Sequence, residues 1–144
     1  MIDIENKVYN DVAQAIRQKF GRKYPNLSMY SEYEEVPSSF PCVTLVEENN
    51  SRLASTDDGS KKEHYARVMY SCNIYTNNTD KKALGKSIAD TVDEVMSNIG
   101  FTRLVRTQIP NIDRTIYRIT LRYEGIVDEG ITVDNKKIHT IYKV

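Results

Sequence analysis

The sequence predicts an α/β (α+β) chain: a mixed, mostly antiparallel β-sheet flanked by two amphipathic helices. Three observations carry this. Segments 2–20 and 79–99 repeat apolar residues at helical spacing. Several other segments alternate apolar and polar residues, as half-buried strands do. Those strands meet mostly through turns and loops, which favours antiparallel neighbours.

In order, the first helix covers 2–20. Ile4, Val8, Val12, Ile16 and Phe20 recur every fourth residue and make one apolar stripe. Asp3, Glu5 and Asp11 lie towards its start, Arg17 and Lys19 in its last turn, the order the helix dipole favours. Gly21 is a natural residue just past its end. Residues 24–41 read as irregular, with a short strand around 27–33. Pro41 cannot donate to a ladder, so it belongs at the entry of the strand 42–48. The polar stretch 49–63 (NNSRLASTDDGSKKE) has no periodicity and reads as a long mobile loop.

Segment 64–77 alternates Ala66, Val68, Tyr70, Cys72 and Ile74 against Tyr65, Arg67, Met69, Ser71 and Asn73, a long strand. The second helix runs from about 79 to 99. Thr79 or Asn78 is its expected cap, Leu84, Ile88, Val92, Val95 and Ile99 are its stripe, and Gly100 is its end. A strand near 101–109, a turn at 110–113 and the strand TIYRITLRYEG (115–125) follow, with Gly125 closing or bulging that strand. Two last short strands turn at Asp134-Asn135, and the alternation of Ile138, Thr140 and Tyr142 suggests a C-terminus docked in a sheet. The expected order is α-β-β-β-α-β-β plus a terminal β-hairpin, as one domain over 1–144.

Strand 115–125 is the most informative. Tyr117, Ile119, Leu121 and Tyr123 belong to one face; Arg118, Thr120, Arg122 and Glu124 belong to the other. With both helices on one side of the sheet, the charged stripe falls on the open side. Because the tyrosines and arginines point to opposite faces, they cannot form one stacking platform for single-stranded nucleic acid. Lys plus Arg equals Asp plus Glu at 20 each, which also argues against a dedicated nucleic-acid binder. Balanced charge gives little self-repulsion against association.

Catalytic chemistry is not legible. His64 and His139 lack metal-ligand spacing. Cys42 and Cys72 sit in apolar strands, form no CxxC motif, and read as buried inert thiols of a reduced, cytosolic chain. A disulfide between them would need neighbouring strands in suitable geometry. The carboxylate runs 32–35, 47–48 and 57–58 lack an EF-hand pattern, and the six glycines form no phosphate loop. No signal peptide or apolar run of membrane-spanning length is visible. The expectation is a non-enzyme without cofactor, metal, small-molecule substrate or membrane partner.

Several runs, in order, resemble a family. FPCVTLVEENN (40–50), the polar loop after it, ARVMYSCNIYTNN (66–78), a helix ending NIGF (98–101) and PNIDRTIYRITLRYEGIVDEG (110–130) resemble the tail-terminator (tail-completion) proteins of long-tailed bacteriophages. The resemblance covers nearly the whole chain and rests on order and spacing, since no single motif is specific. It implies a structural virion protein that forms a ring, generally a hexamer, on the head-proximal end of the tail tube. Such a ring ends tube polymerisation and offers the surface for head–tail joining. The implied partners are other copies of the chain, the major tail-tube protein and the head–tail connector, with DNA only passing through the lumen. The implied place is the virion, with assembly in the host cytoplasm.

Residues expected at the subunit interface are Arg118, Arg122, Glu124, Arg103 and Arg106. Those expected on the loop that touches tube or connector are Arg52, Asp57, Asp58, Lys61 and Lys62. Alternatives are another ring protein of the phage neck or head completion, and a nucleic-acid-binding α/β module using the basic strand face.

Overall fold

A computed structural model of the chain describes residues 1–33, 37–53 and 64–144. The elements follow as α1 (Glu5–Phe20), β1 (Ser28–Tyr30), β2 (Cys42–Arg52), β3 (Tyr65–Thr76), α2 (Lys81–Ile99), β4 (Thr102–Gln108) and β5 (Tyr117–Asp128). Then come β6 (Ile131–Val133), β7 (Lys136–Ile138) and β8 (Ile141–Tyr142). The α+β class, the two helices and the terminal hairpin are as the sequence predicts.

The main sheet runs β1-β2-β3-β5-β4, with β8 also on β5. β1 lies parallel to β2; β2–β3, β3–β5, β4–β5 and β5–β8 are antiparallel. Residues opposite one another share a face, so the register sorts the side chains. One face carries the rows Val43–Ile74–Ile119, Leu45–Cys72–Leu121 and Tyr70–Tyr123. These residues are buried together with Val8, Val12 and Ile16 of α1 and Ile88, Val92 and Met96 of α2 in one hydrophobic cluster. The period-two faces of the strands and the four-residue stripes of the helices therefore meet in a single core.

Several boundaries differ from the sequence reading. β2 continues through Arg52, so residues 49–52 of the expected loop are strand, paired with Ala66–Met69. Polar residues can extend a strand when a long neighbour supplies the ladder, and β3 does so. The rest of the expected loop, 54–63, including Asp57, Asp58, Lys61 and Lys62, lies outside the described residues.

Asp80, not Thr79 or Asn78, occupies the position before α2, without a side-chain capping bond. Gly21 keeps right-handed helical angles (φ −61°), whereas Gly100 ends α2 at φ 124°. A side chain at Gly100 would also strike the Ile141 carbonyl, with its Cβ 2.5 Å away. Gly125 neither ends nor bulges β5: the ladder to β3 runs through it. A Cβ there would lie 2.8 Å from the Phe101 ring, so the missing side chain makes room for Phe101. Cys42 and Cys72 are buried and form no disulfide; their register partners, Tyr75 and Leu45, place them three steps apart on adjacent strands.

Asp134 and Asn135 both have positive φ (51° and 63°), the geometry of a two-residue type I′ hairpin turn between β6 and β7.

Candidate functional site

The face of the sheet turned away from the helices is where the charged stripe of β5 lies. Its rows follow from the register: Tyr75 opposes Arg118, Asn73 opposes Thr120, Ser71 opposes Arg122 and Met69 opposes Glu124. Thr44 and Val46 of β2 extend the second and third rows.

Asn73 is the hub. Its Oδ1 accepts bonds from Arg118 Nε (3.2 Å), Arg118 Nη2 (3.0 Å) and the Thr120 hydroxyl (2.7 Å). Asn73 and Thr120 are both buried. The Arg118 guanidinium also lies over the Tyr75 ring, 5.4 Å from its centroid, a cation–π contact. Further along, Glu124 is buried and receives Arg67 Nη1 at 2.8 Å. Arg122 stays exposed; Glu48 is 3.9 Å away and accepts the Tyr33 hydroxyl at 3.0 Å. Burial, followed by Glu48, pushes the Tyr33 hydroxyl pKa up, so the phenol keeps the proton it donates.

The residues expected at one interface do not share one face. Arg118, Arg122 and Glu124 line the open side. Arg103 and Arg106 oppose Tyr123 and Leu121, core-side residues, and turn towards α2. There Arg103 reaches Asp93 at 3.1 Å and Arg106 reaches Asp90 at 2.6 Å. A bulge between Arg103 and Val105 inserts one residue, so two arginines three apart share a side. Arg52 is exposed at the end of β2.

The same helix side holds two fully buried tyrosines with polar tips. Tyr123 donates to Asp93 at 2.9 Å and Tyr70 to Glu47 at 3.2 Å. Burial first, then the neighbouring carboxylate, raises both phenols above the usual tyrosine range, so both hydroxyls remain donors. Tyr70 packs edge-on against Phe101, ring centroids 5.4 Å apart.

Sequence reasoning missed Asn73, Tyr75 and Glu48 as members of the charged face. The signal was present in the parity of 65–73, which puts Asn73 on the side of Arg67. Which strand neighbours β3 is the part that alternation leaves open.

Chemically, the face can hold its arginines in fixed positions and offer mixed charge to a protein surface. Arg67, Arg103, Arg106 and Arg118 already have polar or acidic partners within the chain, which lowers the net positive field that phosphate binding needs. Among the described residues, no group of three or more His, Cys, Asp or Glu could hold a metal ion. No described helix is long and apolar enough to cross a membrane.

Fold and face together define a two-layer α+β protein with a charged, largely self-paired sheet surface. No family model matches the chain, and no curated protein matches it. Among solved structures it is similar to the bacteriophage SPP1 gp17 protein, at 14% identity, over 92% of this chain and 93% of that one, with a TM-score of 0.42. A likeness of that size is one of chain course and carries no functional assignment.

Proposed function

We propose that this chain is a structural protein of a long-tailed phage or phage-derived particle: a tail terminator. Copies close into a ring, a hexamer by the family resemblance, on the head-proximal end of the tail tube. The ring ends tube polymerisation and presents a surface to the head–tail connector. The observation that supports this most is the ordered set of sequence runs resembling that family. Those runs coincide with the start of β2, with β3, with the end of α2 and with β5. A ring subunit needs two unlike surfaces that match each other, and mixed charges of fixed orientation give such surfaces register and selectivity.

Sedimentation of the purified chain, with electron microscopy of it added to purified tail tubes, tests the proposal. Rings and capped tube ends are expected. A strict monomer that leaves tube ends bare overturns it. Arg122→Ala, at an exposed position, is expected to weaken ring closure or capping and to leave DNA retention unchanged. Salt-dependent DNA binding that Arg122→Ala abolishes would instead establish the nucleic-acid module.

A further inference from the structure

The β6–β7 hairpin is a separate two-stranded sheet whose six strand residues are all exposed. Ile131 opposes Ile138 and Val133 opposes Lys136, so Ile131, Val133 and Ile138 lie on one face with Lys136; Thr132 and Lys137 lie on the other. The three apolar residues are 67%, 43% and 51% exposed. A two-stranded hairpin in water is marginal alone and gains from a third strand.

The sheet also ends on an unused ladder. At the β1 side the last strand is three residues long. At the other side β4 is seven residues long, and among the described residues no strand pairs with its outer edge. That edge exposes Leu104 and Val105, and Val105 opposes Arg122, on the open side of the sheet. The helix side of the same edge is flanked by α2, with Asp90, Asp93 and the exposed Glu94.

We propose that the β6–β7 hairpin of one chain adds to the outer edge of β4 of a second copy, extending its main sheet across the subunit boundary. This rests on the self-association proposed above and names its contact. Main-chain groups of β7 meet the free edge of β4, the mode of strand addition. Ile131, Val133 and Ile138 continue the apolar strip of Leu104 and Val105 on the open side. Thr132 and Lys137 then face α2, where Lys137 meets the acidic residues Asp90 and Glu94. Each chain carries one hairpin and one free edge, so the contact is head-to-tail, the kind that builds a ring when its rotation closes. Covering β4 also removes an exposed edge that would otherwise pair without specificity.

The test mixes two full-length, differently tagged chains, one with Lys136→Cys in β7 and one with Val105→Cys in β4, under mild oxidation. Cys42 and Cys72 are buried and stay out of the reaction. The expected product is a mixed covalent dimer in clear excess over either same-variant dimer, because only adjacent strands bring Cα atoms within disulfide reach. Particle mass is measured on the same samples before oxidation. Rings without the mixed product overturn the hairpin contact and leave the ring reading standing; a monomer without the product overturns both. A chain carrying both cysteines that cross-links only to itself also overturns the contact, by placing the hairpin on its own β4. In a second arm, Ile131→Ser with Ile138→Ser is expected to weaken association by about tenfold or more, from the apolar burial lost. Unchanged association overturns the contact.

Discussion

Replacing Asn73 by alanine removes the one oxygen on which three bonds of the open sheet face converge. The cost follows from the partners left behind. Thr120 is 8% exposed, so its hydroxyl would be stranded away from water, at about 1–3 kcal/mol. Arg118 is half-buried and regains water for most of what it loses, so its share is about 1 kcal/mol. The sum is about 3 kcal/mol, a sizeable part of the stability of an ordinary domain. For a chain of this length that lowers Tm by roughly 10 °C. In urea the midpoint should fall while the slope stays as in the parent, because the surface exposed on unfolding is unchanged. A loss below about 1 kcal/mol would refute the reasoning, since it would make the network no better than a solvated surface contact. Arg118→Ala and the double variant complete the cycle, with a coupling of about 1 kcal/mol expected between contacting groups. If Arg118→Ala disturbs association far more than stability, the guanidinium also touches a second chain.

Gly85→Ala should destabilise the fold by about 1–3 kcal/mol, since a Cβ there would lie 2.7 Å from the buried Tyr117 ring; thermal melting without a loss would refute the close approach. The thiols of Cys42 and Cys72 should resist an aromatic disulfide reagent at pH 8 in the native chain and react once it is unfolded. Fast native reaction would contradict their burial. Burial pushes the Cys72 thiol from 9.0 up to about 12. A raised pKa means the native state holds the proton longer. Its contribution to stability is therefore complete below pH 9 and is lost as pH rises towards 12. Cys72→Ala should flatten that alkaline loss in a pH series of urea midpoints.

The sequence by itself determined what depends on near neighbours along the chain. Helix α1 was legible because Ile4, Val8, Val12, Ile16 and Phe20 are spaced to one turn, and all five are buried. The sides of β5 were legible because its alternation is local: Tyr117, Ile119, Leu121 and Tyr123 face the core as their parity requires. Tertiary structure decided what depends on pairing. Asn73 joins Arg118 because β3 and β5 are neighbours, a choice made across an intervening helix and strand and invisible to periodicity. Arg103 and Arg106, on opposite faces of an ideal strand, come to one side through the bulge in β4, and there they meet acids of α2 rather than the charged stripe. Glu124, expected as part of an exposed surface, is buried because Arg67 on the adjacent strand neutralises it there. Local spacing fixes where a side chain points. Only the packed sheet fixes which charge it finds.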